Sequence, residues 1–148
     1  MARELRTEAE VRAVLARARV IAVLGAHPDE ARPAHYVPAY MHRQGSRIVP
    51  VNAMCAGEVL WGEPTRATLA ELGEPVDVVD VFRRSEALPG HLEELLAMRP
   101  APAVVWLQQG IRNQAFADAL VAAGIDVIQD RCMLADHRRW GMGPVRAA

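Results

Sequence analysis

Hydrophobic positions along this chain switch repeatedly between a helical and an extended period. Val11, Val14, Leu15 and Ala18 fall at i, i+3, i+4 and i+7, one apolar helix face. Thr7-Glu8-Ala9-Glu10 precedes them as a capping box, because the Thr oxygen and the Glu carboxylate satisfy first-turn amides reciprocally. Val20 to Leu24 is an unbroken apolar run ending at Gly25, the pattern of a strand buried on both faces. A second helix is predicted over Pro33 to Gln44, with Tyr36, Val37, Tyr40 and Met41 as its apolar stripe. Pro33 suits a first helical position; Pro38 predicts that the ordered helix begins near Val37 or bends there. Gly45 stops it, and Arg47 to Val51 is the next strand, with Pro50 expected at its end because proline forfeits a ladder bond.

The alternation continues with a short helix over Thr65 to Leu72, a strand from Asp77 to Phe82 and a helix from Ser85 to Met98 carrying Leu88, Leu92, Leu95 and Leu96. Ala103 to Leu107 is a further strand. Asn113 then caps a helix with Phe116, Ala119, Leu120 and Ala123 inward, closed by Gly124. Ile125 to Gln129 is the fifth strand, and a short helix follows Asp130. Residues from Gly141 read as loose, so the expectation is one domain over residues 1–140 and a tail over 141–148.

Five strands separated by helices spell βαβ units. The predicted fold is α/β: a single doubly wound, five-stranded parallel sheet with helices on both faces. Right-handed crossovers make 3-2-1-4-5 the economical strand order. A ligand site is then expected at the carboxyl ends of the strands, near the switch between strands 1 and 4. That nominates four segments: Gly25 to Pro33, Val51 to Met54, Phe82 to Ser85, and Gln108 to Asn113.

Composition narrows the chemistry. With 148 residues the chain has the length of one ordinary domain. All 17 lysine-or-arginine positions are arginine, a bias read first as codon usage in a GC-rich genome. Without lysine there is no Schiff base, Walker A lysine, or anchor for pyridoxal phosphate or biotin. A net charge of −1 argues against a general nucleic-acid binder. No apolar run approaches a membrane span, and the first residues lack a signal-peptide core. Cys55 and Cys132 form no zinc or redox pattern, and the histidines offer no metal spacing, so a reduced, cytoplasmic protein without a metal is expected.

In the first segment, Gly25-Ala26-His27 opens a turn where a pyrophosphate can sit on helix-terminal amides, although Gly25 by itself is equally a tight strand-to-helix turn. The turn is not G-x-G-x-x-G, and strand 2 ends in Asn52 rather than the acid that holds the NAD ribose; both weaken an NAD reading. Phe82-Arg83-Arg84 puts two guanidinium forks beside an aromatic face, suited to a phosphorylated adenine ligand, or else is a solvated pair. Gln108, Gln109 and Gly110 could line a narrow polar groove, with Trp106 read as core. Cys132 and His137 are five residues apart and do not face one another on a helix, so a structural cysteine is favoured.

Together the segments Ile21 to His27, Arg32-Pro33 with Tyr36-Val37, Val49 to Asn52, Val78 to Arg83, Trp106 to Gln108 with Gly110-Ile111, and Asp130 to Cys132 carry a resemblance. The chain resembles the small stand-alone CoA-binding proteins, whose Rossmann-like domain is similar to the amino-terminal CoA-binding domain of the succinyl-CoA synthetase α subunit. The resemblance covers about residues 7 to 140. It implies coenzyme A, or an acyl-CoA, as ligand. Gly25, Ala26 and His27 would lie near its phosphates, Val51 and Asn52 beside the adenosine, and Phe82, Arg83 and Arg84 around the nucleotide. Gln108, Gly110 and Ile111 would line the pantetheine path, with Arg32 and Pro33 at the start of the second helix. The synthetase's phosphohistidine belongs to a second domain that this match does not include, so its ligase activity is not implied.

CoA carries roughly four negative charges near neutral pH. Arginines, helix amides and polar side chains must hold them here; Arg32, Arg83 and Arg84 lie at or just beyond predicted strand ends. The reading is a CoA-binding module without catalytic residues. An NADP-linked oxidoreductase or redox sensor is the alternative. A CoA-dependent transferase or thioesterase would have only Cys132 as a remote nucleophile. A structural domain, and association with a second copy or a partner protein, stay open.

Overall fold

The structure is a computed structural model that describes residues 1–145. Five parallel strands form one sheet: β1 (Val20–Leu24), β2 (Arg47–Val51), β3 (Val78–Val81), β4 (Val104–Leu107) and β5 (Asp126–Ile128). All but the first residues of β1, β2 and β5 are buried, as continuous apolar runs demand. Alternate side chains feed two cores. Ala22, Val49, Val79, Val105 and Val127 pack against Leu88, Leu95, Phe116 and Leu120 on one face. Ile21, Ile48, Val78, Trp106 and Ile128 pack against Val11, Leu15, Val37, Met41 and Met133 on the other.

The helices are α1 (Glu8–Ala16), α2 (Pro33–Arg43), α3 (Leu92–Ala97), α4 (Gln114–Ala122) and α5 (Met133–Arg139). The capping box of α1 forms, with Thr7 Oγ1 accepting from Glu10 N and Glu10 Oε1 accepting from Thr7 N. Asn113 caps α4 through the Phe116 amide. The buried face of α4 is Phe116, Ala117 and Leu120; Ala123 is exposed beyond the helix end.

The strand order corrects the expectation. It is 2-1-3-4-5 rather than 3-2-1-4-5: β1 lies between β2 and β3, with Val23 beside Pro50 on one side and Asp80 on the other. Pro50 gives the reason. Its carbonyl accepts the Arg66 amide, so its amide position also faces the outer side of β2. There the missing donor costs no ladder bond to β1, and β2 can be an edge strand but is poorly suited to a central one. Among the described residues no strand of the sheet pairs with that edge; an isolated bridge joins Val51 to Arg66 there. The switch point therefore falls between β1 and β3.

Two expected helices are also revised. Residues 59–64 form a small antiparallel hairpin, and only the 3-10 turn Leu69–Glu71 remains of the predicted helix at 65–72. Ser85–His91 is a 3-10 segment that passes into α3, because Pro89 and Gly90 interrupt regular helix there. By contrast, α2 begins at Pro33 and runs through Pro38. The Ala34 carbonyl, which Pro38 cannot serve, accepts the His27 amide at 3.4 Å instead. Of the loose tail expected over residues 141–148, residues 141–145 are tied back, Val145 N donating to Gln44 O and His137 Nε2 to Gly143 O, and residues 146–148 lie outside the described residues.

Candidate functional site

At the carboxyl ends of β1, β3 and β4 lies a cleft of about 640 Å³. Its size suits a cofactor-sized ligand. Arg32, Pro33, Tyr36 and Val37 line it from the start of α2; Phe82, Arg83, Arg84, Ser85 and Glu86 follow β3; Gln108, Gln109, Gly110 and Ile111 follow β4; Cys132 closes it.

The wall at β3 depends on one glycine. Gly25 has φ +95°, and a Cβ there would stand 2.6 Å from the Phe82 carbonyl oxygen. Its absence lets the loop after β1 lie against the end of β3, whose Phe82 amide donates to Leu24 O. The wall at α2 is electropositive by construction: its first turn holds no acidic residue and no side chain caps it. Arg32 stands at the N-cap, 3.8 Å from the Asp29 carboxylate. Among the described residues, Arg83 and Arg84 make no ion pair, and Arg83 Nε is buried without a hydrogen-bond partner. Three arginines and one acidic residue, Glu86, thus line the cleft, with Asp29 beside Arg32 just off the lining.

The β4 side is held by the neighbouring loop. Gly110 N donates to Asp130 Oδ1 at 2.7 Å, and Trp106 Nε1 to Arg131 O at 2.8 Å, with Trp106 fully buried in the core. Gln108 Nε2 donates to the buried Asp80 at 2.7 Å. Burial pushes the Asp80 carboxyl up to about 8, against the opposing effect of the Gln108 hydrogen bond.

Of the residues singled out in the sequence, the structure brings Arg32, Pro33, Phe82, Arg83, Arg84, Gln108, Gly110 and Ile111 together in the cleft. Gly25, Ala26, His27, Val51 and Asn52 are not on its lining. Ala26 and Val51 are completely buried. Asn52 is committed locally, Nδ2 donating to Ala26 O and Oδ1 accepting from Met54 N. His27 Nδ1 accepts from Asp29 N, and its carbonyl accepts from His35 Nδ1. These residues set the loop that carries α2. Gln109, expected with Gln108 and Gly110 beside a narrow polar groove, lines the cleft, as does Ser85 at the end of a nominated segment. Glu86 and Cys132 were not singled out as ligand contacts; adjacency to Ser85 was the available signal for Glu86. Tyr36, expected on the buried stripe of α2, is 44% exposed and lines the cleft. Cys132 is partly exposed and Cys55 buried, both as free thiols. Among the described residues no His, Cys, Asp or Glu side chains gather as a metal site, and no helix is long and apolar enough to cross a membrane.

A doubly wound parallel sheet, with an arginine-lined cleft at its switch point and no glycine-rich dinucleotide turn, defines a Rossmann-like ligand-binding domain. The chain belongs to the CoA binding domain family, whose sequence model matches residues 19–138. It is 40% identical over 131 residues to the uncharacterized protein YneT of Bacillus subtilis (strain 168), covering 88% of this chain and 94% of that one. A solved structure from Thermus thermophilus, cell-free ID.343, shares 53% identity with a TM-score of 0.85, over 90% of this chain and 98% of that one. A hypothetical protein from Pyrococcus horikoshii OT3 shares 28% identity with a TM-score of 0.82, over 90% and 92%.

Proposed function

We propose that the protein binds coenzyme A, free or acylated, in this cleft and has no reaction of its own. The phosphates would lie against Arg32, Arg83, Arg84 and the first turn of α2, and the pantetheine arm would run past Gln108, Gly110 and Ile111. The observation that carries the reading is Arg83 Nε, a buried donor with no acceptor beside a cleft lined by two further arginines. Such a donor is satisfied by an anionic oxygen. Asn52 supports CoA over a nicotinamide dinucleotide, because its side chain is already committed where a ribose-reading acid would stand. A binding role fits the lining: it includes no histidine, and Ser85 Oγ accepts from Arg112 N.

Native mass spectrometry of the purified protein tests this. The expected result is a retained mass of CoA or an acyl-CoA, or uptake of added CoA at micromolar concentration. A spectrum that stays ligand-free with CoA, yet takes up NADPH, would reverse the assignment.

A further inference from the structure

β3 reads Val78-Val79-Asp80-Val81, and all four residues are buried. A fourth valine would serve the core better, since a buried carboxyl group is costly unless hydrogen-bonded. Asp80 shares the sheet face of Val78, toward α1, α2 and α5, and is 1% exposed between Val23 and Trp106 on the adjoining strands. One residue beyond β4, Gln108 is 4% exposed and donates Nε2–H to Asp80 Oδ1 at 2.7 Å. Gln108 also lines the cleft. With Nε2 donating to Asp80, carbonyl Oε1 is the acceptor of this lining side chain that Asp80 does not engage.

An acceptor is the wrong group for a phosphate and the right one for an amide N–H. The pantetheine arm of CoA carries two such groups. We propose that Asp80 is a positioning residue: it fixes the Gln108 amide so that Oε1 accepts an amide N–H of the pantetheine arm. This rests on the CoA reading above. Burial also keeps the Asp80 carboxyl protonated at neutral pH. Its carbonyl oxygen still accepts from Gln108, while no buried negative charge opposes the polyanion above it.

Calorimetry on the full chain with two ligands, CoA and 3′,5′-ADP, separates this from a core role. Asp80→Val is expected to lower CoA affinity about tenfold while leaving 3′,5′-ADP binding within about twofold, since that ligand has no pantetheine arm. Asp80→Asn, which keeps an acceptor oxygen, is expected to retain CoA binding. Gln108→Met, which keeps length but removes the carbonyl, should reproduce the CoA-specific loss even where Asp80→Val does not fold. Unchanged CoA affinity in Gln108→Met, equal losses for both ligands, or an Asp80→Asn loss as large as that of Asp80→Val would each overturn the proposal. Wild-type protein that binds neither ligand would overturn the CoA reading itself, and this proposal with it.

Discussion

A buried donor left without an acceptor costs roughly 1–3 kcal/mol, and Arg83 Nε stands in that state beside the cleft. A bound phosphate oxygen recovers that cost, so Arg83 is expected to contribute more to affinity than the exposed Arg84. Replacing both with alanine should weaken CoA binding by roughly 10- to 100-fold at low salt and flatten its salt dependence; calorimetry at two ionic strengths checks both. Gly25→Ala should cost about 2 kcal/mol or more, since it combines a positive φ with a close approach to Phe82 O. Chemical denaturation measures it. Asp80 sets a pH dependence of stability. Its folded pKa is raised from 3.8 to about 8, so between those values the folded state holds a proton that the unfolded state has released. Its contribution to stability is complete below about pH 4 and is lost as pH rises toward 8. Asp80→Asn is expected to remove that slope in denaturation curves taken from pH 4 to 8. The strand-end arginines were legible as site residues because a parallel sheet brings its strand ends to one side. The duties of Gly25, Ala26 and Asn52 were not, because Gly25 abuts Phe82 O and Ala26 O meets the Asn52 side chain, both far along the chain; His27 instead bonds within its own loop and the start of α2, to Asp29 N, Ala34 O and His35 Nδ1.

At the level of elements, the loop after β1 places the α2 wall of the site. Asn52 at the tip of β2 holds Ala26 O, and Pro38 leaves Ala34 O for the His27 amide, so two separate elements fix where α2 starts. Asn52→Ala is predicted to destabilise the fold by about 1–3 kcal/mol and to weaken CoA binding although Asn52 does not line the cleft. Asn113→Ala removes the α4 cap and should cost about 1 kcal/mol with affinity unchanged; the two variants together separate loop placement from general stability. The strands and both capping motifs could be read from periodicity and side-chain chemistry. The helix expected over 85–98 was legible only in its second half, as α3, because Pro89-Gly90 interrupts the first; that over 65–72 was not, because the Thr65 and Arg66 amides donate back to Glu58 O and Pro50 O. Pro50 carried the one local clue to strand order, since it favours an edge strand over a central one.

The whole molecule has a net charge of −1, yet its cleft gathers three arginines against one glutamate. Charge is therefore concentrated rather than general, as recognition of a small polyanion requires and general nucleic-acid binding does not. The absence of lysine limits the chemistry, while the order 2-1-3-4-5 sets the start of α2 and the Arg83-Arg84 pair beside one switch point. Calorimetric titration of the wild-type protein with CoA, dephospho-CoA and NADPH at low salt tests the account most directly. It predicts CoA binding at about tens of micromolar or tighter, stronger than dephospho-CoA, which lacks the 3′-phosphate, and stronger than NADPH. No binding of CoA at that concentration, or tighter binding of NADPH, would contradict it.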